Sequence, residues 1–131
     1  MDIDGLIAEV TEIAEDVYRE LGVGHVEAPY QKAMEVGLRL RGIRFEAQKV
    51  IEITYRDHYV GDCNLDLLID KRLVVELKAA GQAAGPDHDQ LAKYLRLLRL
   101  SHGLLVNFTK PGRSKKQKHA AGPEITPVRL L

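Results

Sequence analysis

Two carboxylates and an ammonium stand in this sequence at a spacing that would gather them on one surface: Asp66, Glu76 and Lys78. Tyr59 to Ile69 alternates in the manner of a strand, Asp70-Lys71 reads as a tight turn, and Leu73 to Ala79 reads as the returning strand. Successive strand side chains point to opposite faces. Val60, Asp62, Asn64, Asp66 and Leu68 are therefore expected on one face, with Gly61, Cys63, Leu65, Leu67 and Ile69 on the core side. In the returning strand Val74, Glu76 and Lys78 share a face, and the turn would set Asp66 beside Glu76. Carboxylates at close range repel, and one is driven towards protonation unless a cation lies between them. A hard divalent cation, Mg²⁺ or Mn²⁺, answers this need, because Mg²⁺ takes one or two carboxylates together with phosphate oxygens and waters. Such a metal would lower the pKa of a bound water and neutralise a phosphoryl group. Lys78 could orient that water or stabilise developing negative charge. A Glu-x-Lys triplet alone also describes a solvated strand face, so the rest of the chain has to decide.

The elements that must position these groups are legible in the pattern. Apolar residues at Ile3, Leu6, Ile7, Val10, Ile13, Ala14, Val17 and Leu21 keep helical spacing, and Gly22 and Gly24 end that helix. A second helix starts near Glu27, with Pro29 in its first turn and a stripe of Tyr30, Met34 and Leu38, and closes at Arg41-Gly42. Val50 to Tyr55 reads as a strand and Arg56-Asp57-His58 as a turn. Gly81 to Pro86 reads as a flexible loop, Asp87 as the N-cap of a third helix running from Asp89 to about Leu100, and Leu104 to Phe108 as a buried strand. Ile125 to Leu131 would add an edge strand, the setting in which Pro127 is tolerated. The order α-α-β-β-β-α-β, with a final β, describes an α/β protein with a mixed sheet flanked by helices.

Other residues offer less by spacing alone. Glu27 lies on the stripe of Tyr30 and Met34, which leans it towards the core, yet an acid is also favoured at any helix N-terminus. Gln90 and Tyr94, four apart, share a helix face, as they would on any helix edge. Cys63 reads as a small buried hydrophobe, and the five histidines form no zinc spacing with it. Asp87-His88-Asp89 could bind a metal but reads better as a cap with a solvated histidine, and Gly22-Val23-Gly24 lacks the strand and the third glycine of a nucleotide loop. Asp62 and Asn64 would form an outer shell around Asp66.

Taken in order, these positions resemble one family. Asp66 followed by Glu76-Leu77-Lys78 matches the D…(D/E)xK signature of the PD-(D/E)XK nuclease superfamily. Gln90-Leu91-Ala92-Lys93-Tyr94 matches the Q-hydrophobic-x-x-Y motif of its RecB and lambda-exonuclease branch. Gly24-His25-Val26-Glu27-Ala28-Pro29-Tyr30 looks like the opening motif of the small GxxExxR proteins, with Tyr30 where the family name has Arg. The resemblance spans about residues 15–109. It implies a restriction-endonuclease-like core, forming one nuclease-like domain over residues 1–131 with 110–123 a basic loop or linker. It also implies roles: Asp66, Glu76 and the Leu77 carbonyl as metal ligands, Lys78 as the catalytic lysine, Glu27 as the acid completing the site. Gln90 and Tyr94 would hold substrate phosphate or the attacking water.

Composition bounds the reading further. The formal net charge is zero, but residues 110–119 hold five bases and no acid, so Lys115 and Lys116 could lie along a phosphate backbone or sit in a solvated tail. A lone cysteine and no apolar run of membrane-spanning length fit a reducing, cytoplasmic setting without a membrane. The expected activity is Mg²⁺-dependent hydrolysis of phosphodiester bonds in DNA, or in RNA, by a metal-activated water. The rivals are a non-catalytic nucleic-acid-binding module of the same fold and a homodimeric junction-resolving endonuclease.

Overall fold

Asp2 starts α1 (Ile3–Leu21), its carboxylate accepting the Gly5 N–H at 2.8 Å, and Gly22 ends it in the left-handed region at φ 69°. The computed structural model describes residues 1–79, 85–108 and 122–130. α2 (Glu27–Leu40) follows and buries Tyr30, Met34 and Leu38 completely. The two helices approach closely at Gly37, where a Cβ would come within 2.5 Å of Ile13 Cγ2. Then come β1 (Phe45–Tyr55), β2 (His58–Ile69), β3 (Leu73–Lys78), α3 (Gly85–Leu98), β4 (His102–Asn107) and β5 (Glu124–Arg129).

The strands form one mixed sheet in the order β1-β2-β3-β4-β5, in which only β3 and β4 run parallel, joined through α3. β5 is an edge strand carrying exposed Pro127, as its sequence requires. The turns Arg56-Asp57 and Asp70-Lys71 hold both residues at positive φ, the backbone that matches the twist of two-residue hairpins. His58 belongs to β2 and not to the turn.

Each sheet face has its own core. Leu67, Ile69, Leu73, Val75, Leu77, Leu104 and Val106 pack with α1 and α2. Leu65, Leu68, Val74 and Leu105 pack with Leu91, Tyr94 and Leu95 of α3. Full burial of each such aliphatic side chain contributes roughly 1.5–3 kcal/mol.

This division corrects the expected face assignment of β2. Strict alternation predicts Leu65 and Leu67 on one side, but Leu65 belongs to the α3 core and Leu67 to the α1–α2 core. The strand changes face at Asp66. Gln48, directly across β1 in the register, adopts φ 50°, and neither residue takes part in the β1–β2 pairing that continues on both sides of them. A left-handed residue reorients the chain locally, so the outer part of the hairpin is turned relative to its base. Two further expectations are corrected. α3 starts at Gly85, which puts Asp87 inside its first turn and not at its cap. The loop expected over 81–86 falls mostly outside the described residues, as does the basic segment with Lys115 and Lys116.

Candidate active site

β2 and β3 pair only at Leu67–Ile69 with Leu73–Val75. Beyond Val75, β3 stays bonded to β4 as far as Lys78, opposite Asn107. The facing segment of β2 turns away at Asp66, which opens a cleft of about 300 Å³ lined by Glu27, Asn64, Asp66, Glu76, Lys78, Asp87 and Gln90, among others. Backbone N–H groups left unpaired at such a split must find other acceptors. They find the carboxylates: Asp66 N donates to Glu76 Oε1 at 3.1 Å, and Leu77 N donates to Asp66 Oδ2 at 2.8 Å. Each acid thus caps the opposite strand where the ladder stops.

Neighbouring elements hold this pair in place. Gln31 of α2 is buried, and its Nε2 donates to the Asp66 carbonyl at 3.0 Å and to Glu35 Oε2 at 3.0 Å. Gln48 Nε2 lies 3.4 Å from Asp66 Oδ1. Lys78 pairs with Asp87 of α3, its Nζ 3.0 Å from Asp87 Oδ1. Gln90 donates to the hydroxyl of Tyr94, which is buried in the α3 core. Tyr94 therefore touches the cleft through Gln90 and does not form its wall.

The electrostatics follow from this crowding. Burial, the Asp66 charge and then Glu27 push the Glu76 carboxyl up to about 8. Asp66 is also raised, by burial, against the opposing hydrogen bonds from Leu77, Gln48 and Glu27. Glu27 is exposed over its surface as a whole, which corrects the expectation that it leans into the core. Its carboxyl is nevertheless raised, first by partial burial, then by the Asp66 charge and a hydrogen bond to Asp66, with Lys78 opposing. Three acids that hold protons against each other form a place where positive charge is favoured.

The donor set suits a hard cation. Asp66 and Glu76 offer carboxylate oxygens on adjacent strands, and Mg²⁺ needs only one or two carboxylates beside waters and phosphate oxygens. Among the described residues no group of three His, Cys, Asp or Glu side chains is arranged to hold a metal ion. The fit therefore rests on these two acids, with Glu27 beside Asp66.

The expected residues Glu27, Asp66, Glu76, Leu77, Lys78 and Gln90 thus meet in one cleft. Asn64 lines it too, whereas Asp62 is exposed and accepts the Tyr59 hydroxyl at 2.7 Å. Sequence reasoning set Asp87 aside as a helix cap and missed Gln31. Gln31 was hidden by its place beside an apolar stripe. The signal for Gln31 lay in its spacing of four from Glu35. Tyr30 stands where an arginine was expected from the resemblance. It is fully buried, donates to the Gly22 carbonyl at 2.7 Å and stacks on Phe108 with ring centroids 4.3 Å apart. It ties the start of α2 to the end of α1.

Comparison with known proteins supplies the family. No curated protein matches the sequence. Among solved structures, the crystal structure of SSO0001 superposes with a TM-score of 0.56 at 18% identity, covering 79% of this chain and 50% of that one. The chain thus spans about half the length of SSO0001, and the likeness bears on the fold alone. The family model of the PD-(D/E)XK nuclease superfamily matches residues 4–120. With a mixed sheet flanked by three helices and a restriction-endonuclease-like core, the chain belongs to the PD-(D/E)XK nuclease superfamily.

Proposed function

We propose that this protein is a divalent-metal-dependent nuclease that hydrolyses phosphodiester bonds of DNA, with RNA as the second substrate class. One observation carries the reading: Asp66 and Glu76 sit on diverging strands, each accepting an N–H from the other's strand, with Lys78 two residues further on. Asp66, Glu76 and the Leu77 carbonyl are the groups that would hold Mg²⁺ or Mn²⁺. When bound, the cation supplies positive charge against the phosphate and a more acidic water.

The chain's own groups account for the remaining work. Asp87 holds the Lys78 ammonium at the cleft, from where it donates to the phosphate oxygen on which charge develops. The Glu27 carboxyl, already favouring its proton, stands ready to exchange one with the attacking water or the leaving oxygen. Gln90, anchored on Tyr94, presents an amide to the substrate phosphate. Lys115 and Lys116 would add backbone contacts from outside the described residues. The finer likeness to the GxxExxR proteins rests on Gly24 to Tyr30, and Tyr30 has a structural part in it. We read residues 1–131 as one domain.

The test is hydrolysis of labelled DNA with Mg²⁺ or Mn²⁺, beside calorimetric titration of Mn²⁺ into wild type and Asp66→Ala. Metal binding lost in the variant, and cleavage abolished by EDTA, are expected. Cleavage indifferent to EDTA or to Lys78→Ala would end the reading. The hydrogen bonds that Asp66 and Glu76 already make to the backbone favour one alternative, a non-catalytic nucleic-acid-binding module. It would bind DNA equally well after Glu76→Ala and would leave the DNA uncleaved whichever metal is added.

A further inference from the structure

The opposite end of β3 carries a second cleft. It measures about 420 Å³, opens between the end of α3 and the start of β4, and has an apolar floor of Ile3, Leu95, Leu100 and Leu130 with Arg72, Arg96, Arg99, Ser101 and His102 around it and no acid among its lining residues. Arg129 joins from β5, its Nε donating to His102 Nε2 at 3.1 Å, while Ser101 Oγ lies 2.9 Å from His102 Nδ1. Asp70 partly neutralises Arg72 at 2.7 Å. Arg96, Arg99 and Arg129 form no ion pair among the described residues.

Two observations set this cluster apart from an ordinary solvated surface. Arg99 adopts φ 57° just after the last turn of α3, with Leu100 N bonded back to Leu95 O at 2.9 Å. Helices end this way most readily on glycine, so a long cationic side chain stands at that position against backbone preference. The negative end of the helix explains Arg96 in its last turn. It does not explain Arg129, which arrives from β5; Arg72, from the β2–β3 turn, is already held by Asp70 and by the Met1 carbonyl, to which its Nη1 donates at 3.0 Å. The second observation is a ridge. Gln90, Lys93, Arg96 and Arg99 recur every three residues, all exposed, and lead from the carboxylate cleft to the arginine cleft over about 14 Å along α3 and the residue that ends it. In a chain of zero net charge, the segment from Gln90 to Pro123 holds eight Lys and Arg and no Asp or Glu.

We propose that the arginine cleft is a second phosphate-binding site and that the α3 ridge leads a nucleic-acid backbone from it to the carboxylate cleft. Its far end rests on the nuclease reading above. The two clefts lie at opposite ends of the β3–β4 ladder, Leu73 with His102 and Lys78 with Asn107. At about 3.3 Å per residue that is roughly 17 Å, or about five base pairs of duplex. A single free phosphate would need one or two of these arginines, whereas three arginines without an ion pair among the described residues and a cationic ridge suit a chain of phosphates.

The experiment follows binding of a labelled DNA duplex, long enough to span both clefts, by fluorescence anisotropy across a range of salt concentrations. EDTA is present throughout, so the outcome does not depend on hydrolysis or on the nuclease reading. The double substitution Arg96→Gln with Arg99→Gln is expected to weaken binding about tenfold or more and to flatten the log–log salt slope by about 1.8. If that variant melts below wild type, Arg96→Gln alone, on an exposed helical position, should flatten the slope by about 0.9. Unchanged affinity and slope, or a wild type that binds no duplex, would overturn the proposal. So would calorimetric binding of inorganic phosphate in the arginine cleft without duplex binding, which would mark a site for free phosphate.

Discussion

The two halves of β3 belong to one strand of six residues and behave as different structures. Leu73 to Val75 pair with β2 on one side and β4 on the other, and all three are fully buried. Glu76 to Lys78 keep β4 but lose β2, and two of the three are ionisable. In the first half the backbone is satisfied by the ladder and the side chains are free to build cores on both faces. In the second half the ladder is interrupted, and carboxylates take its place as acceptors. A site that would be costly in an intact sheet is tolerated where the sheet is already open, because its acids satisfy N–H groups that would otherwise be orphaned.

Substitutions on either side of that boundary should fail in different ways. Leu73→Ala in the closed half removes a fully buried side chain from the α1–α2 core. It is expected to lower unfolding free energy by about 2–5 kcal/mol in urea titrations while Mn²⁺ affinity of the folded protein persists. Lys78→Ala in the open half should do the reverse, leaving the urea midpoint nearly unchanged and lowering kcat on DNA about a hundred- to a thousandfold. If both variants changed stability alone, the open half would be structural.

The pH dependence sharpens the same contrast. The folded Glu76 carboxyl is raised from 4.5 to about 8, so the folded protein holds that proton more tightly than the unfolded chain. The resulting stabilisation is complete below about pH 4.5 and is lost as pH rises to about 8, at no more than about 1.4 kcal/mol per unit. Metal-free protein should therefore lose stability over that window in melts at stepped pH, and Glu76→Gln should flatten the slope. Mn²⁺ should oppose the loss, since it favours the ionised acid. Asp66 and Glu27, shifted in the same direction, add to the trend.

The smallest effect concerns the turn of face itself. Gln48 holds φ 50°, which glycine tolerates and a β-branched side chain resists. Gln48→Gly is expected to stay within about 1 kcal/mol of wild-type stability, and Gln48→Val to lose about 1–2 kcal/mol. Calorimetry on Gln48→Val should also show weaker Mn²⁺ binding, because Asp66 would be re-aimed. Equal stabilities would remove strain at Gln48 as the device that opens the cleft.

What the sequence determined by itself is the set and order of elements and the identity of the acids. Helical and strand periods, Gly22 at the end of α1, and the turn at Asp70-Lys71 are local physics, and they led to β2, β3 and the approach of Asp66 to Glu76. The motif likeness added Glu27 and Gln90, which spacing alone did not single out and which line the same cleft. Only the tertiary structure decided where the alternation breaks, because a face change at Asp66 depends on Gln48 across the hairpin and on two cores competing for Leu65 and Leu67. It also decided that Lys78 pairs with Asp87 and that Gln31 holds the Asp66 carbonyl. Those contacts join residues on different elements, set by how helices pack on a split sheet, and no period or cap within one segment encodes them.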